Sequence, residues 1–217
     1  MWRTCPRKLY LSAVKKLVEP PNANMERGSH IHKLAEKFVK GELPELPAEL
    51  KLYEKMFTAL KAKRAEDPTK VHVEKEWAFT KNWKPCSWFD KQAWCRIKTD
   101  IAYNHGDVLH ICDYKTGQMR AQEKEKYAKQ LKLYALGAFL MLPDDTIMPR
   151  LAFIDHGQDH PGDADEDIVV RRDELDGLKA QWEADVAPML ADTEFKPTPN
   201  WSCNRFCYYK GKHCAAG

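Results

Sequence analysis

The feature that most constrains this chain is a set of three strand-like segments, two of them separated by one tight turn. Residues 71–79, 93–103 and 107–115 are rich in β-branched and aromatic side chains, and His105-Gly106 separates the last two at hairpin distance. In the second segment Cys95, Ile97, Thr99 and Ile101 alternate with Trp94, Arg96, Lys98 and Asp100. Successive strand side chains point to opposite faces, so the first set is expected on a core and Asp100 on the other face with Arg96 and Lys98. By the same period Asp113 and Lys115 share a side. If the two strands pair as a hairpin, Asp100 and Asp113 converge.

The rest of the pattern surrounds these strands. Apolar residues recur at helical spacing over 26–39 and 47–65, and 5–17 reads as a basic helix stopped by Pro20-Pro21. A long helix is expected over 122–140, a buried strand over 148–154, an acidic Gly/Pro loop over 155–167 and a helix over 172–190. Helices, a strand meander, a helix and a strand make a mixed α/β domain with a central sheet flanked by helices. The chain's 217 residues fit a single domain: 1–70 as N-terminal helices, 71–156 as sheet and helix, and 157–217 as a C-terminal helix and tail. No apolar run approaches the roughly 20 residues of a membrane span, and the start lacks an apolar leader, so a cytoplasmic protein is expected. The net charge is only +3, so any affinity for nucleic acid must come from where charge is placed.

Two carboxylates and a lysine on adjacent strands point to hard-cation and phosphate chemistry. Carboxylate oxygens hold Mg²⁺ or Mn²⁺, the ion activates water, and a lysine beside it positions that water or offsets developing charge. By itself Asp113-Tyr114-Lys115 also fits an exposed ion-paired turn. Its context argues otherwise. Gly28 and His32 open a helix upstream, Thr116-Gly117 follows Lys115, and Gln130 and Tyr134 stand four apart on the next helix. His30 lies two residues from His32 and so points about 200° away from it on a helix.

This ordered set resembles the RecB-type branch of the PD-(D/E)XK nucleases, which carries a G-x-x-x-H helix, an upstream Asp, a D-x-K-T-G strand end and a Q-x-x-x-Y helix. The resemblance implies a restriction-endonuclease-like α/β core and metal-dependent cleavage of DNA, single- or double-stranded, with an exonuclease acting on ends in processing, recombination or repair as the expected form. It implies that His32, Asp100, Asp113 and the Tyr114 carbonyl hold the metal and that Lys115 is the catalytic lysine. Gln130 and Tyr134 are implied to orient the site or touch the DNA backbone. One position departs: where the family often has Gly, three residues before the Asp, this chain has Ile97.

Seven cysteines are present. Cys86, Cys95 and Cys112 fall in strand-like stretches and read as reduced core residues. Cys203, Cys207 and Cys214 crowd the tail while Cys5 stands near the start, an arrangement that favours a metal over disulfides. It resembles the iron–sulfur nucleases of the AddB and CRISPR-adaptation type, in which one N-terminal and three C-terminal cysteines hold a [4Fe–4S] cluster joining the chain ends. Here the tail spacing is C-x3-C-x6-C, one residue longer in each gap than the usual pattern. Zn²⁺, with or without His213 as a ligand, is the alternative metal, and unliganded thiols are the remaining reading. Only four residues precede Cys5, a shorter lead-in than in those relatives.

Other signals are weaker. Asp163, Asp165, Asp167 and Glu174 mimic a calcium loop, but Ile168 and Arg171 occupy its sixth and ninth positions, so the stretch reads as a solvated acidic loop. Trp77, Trp83, Trp88, Phe89 and Trp94 interleave with Lys81, Lys84, Lys91, Arg96 and Lys98, a pattern that fits either a hairpin core or a stacking platform for single-stranded nucleic acid. Glu74 and Glu76 precede Asp100 by one strand; either can lie near the site, and neither is given a catalytic role. The expected function is a metal-dependent deoxyribonuclease, with possible protein partners in a recombination or adaptation complex. The alternatives are a nucleic-acid-binding module that has lost catalysis and a zinc-stabilised structural protein.

Overall fold

The computed structural model describes residues 1–162 and 166–216, the side chain of Ser202 aside. In chain order the helices are α1 (Pro6–Leu9), α2 (Ala23–Val39), α3 (Glu54–Glu66), α4 (Lys124–Met141), α5 (Leu175–Ala191) and α6 (Trp201–Phe206). The strands are β1 (Val71–Phe79), β2 (Pro85–Cys86), β3 (Cys95–His105), β4 (Val108–Lys115), β5 (Thr146–Phe153), β6 (Gln158–His160) and β7 (Val170–Arg171). Two compact bodies result: residues 23–179, and a smaller body built from both chain ends, 1–22 and 180–217.

The larger body is a mixed sheet in the order β2-β1-β3-β4-β5-β6, with β7 also pairing with β5. β1, β3 and β4 form the expected antiparallel meander. β4 and β5 are parallel, which requires a crossover, and α4 supplies it. Ile31, Ala35 and Phe38 of α2 and Phe57 and Leu60 of α3 bury a core with Ile101, Cys112 and Tyr114 of the sheet. α4 meets the sheet elsewhere: a methyl at Gly137 would stand 2.7 Å from Ile97 Cδ1 and 3.1 Å from the Trp77 ring. Here Gly is needed for close approach, and the bulk of Ile97 is accommodated from the helix side.

The burial of β1 and β3 changes phase along their length. Val71 and Ile101 belong to the α2/α3 core, whereas Trp77 and Ile97 meet α4, although each pair has the same alternation parity. Between them lies Glu74, with φ 53, the only strand residue among those described in the left-handed region apart from glycine. A backbone reversal of that kind re-aims side chains within a strand.

Three expectations are corrected. The stretch 5–17 is a short helix followed by a π-helical turn, Tyr10–Val14; Ser12 Oγ donates to the Lys8 and Leu9 carbonyls, which competes with the regular ladder. The loop 155–167 contains β6, which hydrogen-bonds to Leu151–Phe153 of β5. Cys86 is half-buried, not core, because its strand is a two-residue edge. Asp163 and Asp165 of the acidic stretch lie outside the described residues.

In the smaller body Trp2 Nε1 donates to Asp192 (2.7 Å), Arg3 pairs with Asp185 (2.9 Å), and the buried Tyr209 donates its hydroxyl to the Leu17 carbonyl (2.7 Å). These bonds tie segments nearly the full chain apart in sequence.

Candidate active site

The hairpin pairing of β3 and β4 stops at Ile101–Cys112. One residue further, where Asp100 would face Asp113, the strands part and a side chain takes over from the ladder: the Tyr114 amide donates to Asp100 Oδ2 at 2.5 Å. On its other edge the Lys115 carbonyl accepts from the Ile154 amide at 2.8 Å, which anchors the end of β4. Asp100 and Asp113 are each only 6% exposed.

Each carboxylate has a defined second partner. Helix α2 brings His32 Nδ1 to Asp100 Oδ1 at 2.8 Å. The start of α2 is itself tied down by Arg27, which pairs with Asp155 just past β5 at 2.6 Å. His30, as the helical phase requires, points elsewhere and lies 3.6 Å from Glu49. Lys115 Nζ lies 2.5 Å from Asp113 Oδ2, while Tyr134 of α4 donates a very short hydrogen bond to Asp113 Oδ1. Gln130 Nε2 donates to the same Tyr134 oxygen at 2.6 Å. The residues expected at the site therefore lie in one body of the protein in two groups, His32 with Asp100 and the Tyr114 amide, and Lys115 with Asp113, Tyr134 and Gln130.

The electrostatics follow from burial. Desolvation is the main effect on Asp100 and raises its pKa; the His32 hydrogen bond works against this and the Asp113 charge adds to it. For His32, burial opposes the cation, but the hydrogen bond and charge of Asp100, with Asp113 and Glu74 behind it, outweigh that and the net shift is upward. Burial first, then Asp113, holds the Tyr134 phenol far above its ordinary range, so it is a permanent donor. Buried carboxylates are costly unless counter-charged; His32 and Lys115 supply part of that charge, and a divalent cation would add to it. The donor set suits one: ligand atoms of His32, Glu74 and Asp100 all lie within 4.8 Å of one another. Glu74 and Lys98 also line this open cleft, together with Gly28, Ser29 and Asp100.

The chain matches the PD-(D/E)XK nuclease superfamily over residues 2–212. It belongs to that superfamily. Among curated proteins nothing matches it. For a PD-(D/E)XK protein a nuclease activity and a DNA substrate are the activity and substrate class that membership points to, and the mixed sheet flanked by helices agrees with the restriction-endonuclease-like core. Among the described residues no helix is long and apolar enough to cross a membrane.

The sequence put Glu74 and Glu76 within reach of the site without choosing between them or giving either a role; nothing in a Glu codes for left-handed backbone, so the turn that aims Glu74 at Asp100 had no signal. The aromatic stretch divides: Trp77 and Trp83 are buried, Trp83 meets Trp94 edge-on at 5.1 Å, and Phe89 stands 87% exposed. In the smaller body Cys5, Cys203, Cys207 and Cys214 line one pocket, with Arg7 and Lys8 beside them, and none is in a disulfide. Burial pushes the Cys95 thiol up to about 11 and the Cys112 thiol up to about 12, so both remain inert core thiols.

Proposed function

We propose that this PD-(D/E)XK protein is a cytoplasmic Mg²⁺- or Mn²⁺-dependent deoxyribonuclease of the RecB type, acting on DNA ends as an exonuclease in DNA processing, recombination or repair. The observation that carries the reading is the convergence of His32, Asp100, Asp113, Lys115 and Tyr134 on one sheet end, with each carboxylate held by separate partners. In this reading Asp100, Asp113, His32 and the Tyr114 carbonyl hold the cation. Bound there, the ion supplies Lewis acidity at the scissile phosphate and a water of lowered pKa. Lys115 orients the attacking water through Nζ–H and offsets the negative charge that develops at the phosphate. Tyr134, backed by Gln130, fixes the rotamer of Asp113. His32 keeps Asp100 aimed, with its second oxygen locked on the Tyr114 amide. The test is cleavage of linear and circular, single- and double-stranded DNA with Mg²⁺ or Mn²⁺, with Lys115→Ala alongside. Loss of cleavage in a folded Lys115→Ala protein is expected. Equal turnover by wild type and variant sinks the assignment, and wild-type protein that binds DNA without cutting it moves the chain to a binding module.

We further infer that Cys5, Cys203, Cys207 and Cys214 hold a [4Fe–4S] cluster. Support comes from their common pocket, the basic side chains beside it, and an Asn200 amide that donates to Cys203 Sγ at 3.4 Å, as suits thiolates with negative charge to offset. Iron and sulfide analysis of anaerobically purified protein decides between cluster, zinc and free thiols.

A further inference from the structure

Glu74 sits in the middle of β1, opposite Asp100, and three facts about it do not belong to an ordinary strand residue. Its backbone is left-handed, with φ 53. Its side chain is only 15% exposed, and its carboxylate lies in the group whose ligand atoms are all within 4.8 Å of each other, together with His32 and Asp100. And Lys98 Nζ approaches it to 2.6 Å.

The ion pair alone does not account for this placement. In the strand register Lys98 faces Glu76, not Glu74. An extended β1 already offers Lys98 a cross-strand partner of opposite charge, the arrangement sheets ordinarily use. Yet Lys98 leaves Glu76 at 4.0 Å and reaches for Glu74 instead. What the reversed backbone achieves is different: it carries a third ligand atom to the imidazole and the carboxylate of His32 and Asp100. A left-handed Glu is strained and persists where its surroundings or a site require it. One imidazole and two carboxylates within a sphere of this size are a divalent-cation ligand set, and the ammonium group lies where positive charge is wanted.

We propose that Glu74 is a further protein ligand for the divalent cation, completing a His32–Glu74–Asp100 face of the metal site, and that Lys98 neutralises Glu74 until the ion arrives. The proposal rests on the metal-dependent nuclease reading and extends it. Loading the ion exchanges one cation for another on Glu74. It leaves the Lys98 ammonium at the mouth of the cleft, free to meet a phosphate of the DNA strand.

The experiment is Mn²⁺ binding to the full-length protein without DNA, read from the electron paramagnetic resonance of free Mn²⁺. Glu74→Gln should weaken binding at least about tenfold, in the range seen when groups that organise a metal site are lost. Glu74→Asp keeps the charge but shortens the reach, so it should weaken binding too. Lys98→Gln removes the competitor and should tighten it. Glu76→Gln, with the same charge change outside the ligand group, measures the through-space effect and should stay within about twofold. Thermal melts establish that each variant is folded. If Glu74→Asp binds Mn²⁺ as wild type does, or Glu74→Gln weakens it no more than Glu76→Gln, the proposal is overturned. A wild type that binds no Mn²⁺ removes the nuclease reading as well. A wild type whose binding is lost in Asp113→Ala but kept in both Glu74 variants removes this proposal alone.

Discussion

Replacing Tyr134 by Phe deletes one oxygen atom at the centre of the site. That oxygen donates to Asp113 Oδ1 and accepts from Gln130 Nε2 at 2.6 Å. Tyr134 is buried, so no bulk water replaces the lost donor. A hydrogen bond to a charged group contributes ~1.5–3 kcal/mol. Asp113 retains Lys115 at 2.5 Å, which argues for the lower end, about 1.5 kcal/mol, of that range. For a chain of this size ~1 kcal/mol moves Tm by roughly 2–4 °C, so a fall of about 3–6 °C is expected. The functional effect should be larger. Without the phenol, Asp113 is free to rotate toward Lys115, and loss of such a ligand-orienting partner typically costs ~10–100-fold in metal affinity or activity. Mn²⁺ titration of the cleavage rate should show a half-saturating concentration at least about tenfold higher, with DNA binding in metal-free buffer unchanged. Tyr127→Phe on the same helix is the control: its hydroxyl takes the Arg120 amide at 3.3 Å, and its loss should leave the Mn²⁺ dependence alone. Wild-type Mn²⁺ dependence in Tyr134→Phe refutes the view that this hydroxyl organises Asp113.

His32→Ala should raise the Mg²⁺ needed for half-maximal cleavage while His30→Ala leaves it unchanged; the opposite result in a metal titration overturns the assignment of His32 as the ligand. Cys5→Ala and Cys207→Ala should lower Tm by similar amounts and both lose iron, whereas Cys112→Ala keeps it, since a centre held only in the folded state adds to stability through every ligand; unequal shifts with iron retained refute the shared cluster. Gly137→Ala gains about 1 kcal/mol of helix propensity but overpacks against Ile97 and Trp77 by ~1–3 kcal/mol, so a net loss of up to about 2 kcal/mol is expected. Adding Ile97→Val removes the Cδ1 atom in conflict and should recover stability in thermal melts; a single variant more stable than wild type refutes the close approach.

Much of this protein is determined locally and was legible from residue order. The alternation of Cys95 to Ile101 marks β3 as a strand, although it does not show that Ile97 and Ile101 pack against different helices, and one short turn leaves β3 little choice but to pair with β4. Periods of two and of 3.6 residues then place Asp113 with Lys115, Gln130 with Tyr134, and His32 away from His30, because each depends only on regular backbone geometry. The acidic stretch hid β6, since a three-residue strand has too few side chains for a pattern and forms only because β5 offers it an edge. The parting of β3 and β4 beyond Ile101–Cys112 was not legible either: it depends on a side-chain oxygen of Asp100 outcompeting the ladder for the Tyr114 amide. The left-handed turn at Glu74 belongs to the same class. Nothing in Glu favours that backbone, so its conformation comes from the tertiary surroundings: α2/α3 packing on one end of β1 and α4 on the other, with opposite demands on which side chains face inward. Local order thus determined which residues could share a face, and tertiary packing alone decided which faces meet and where the backbone had to depart from its period.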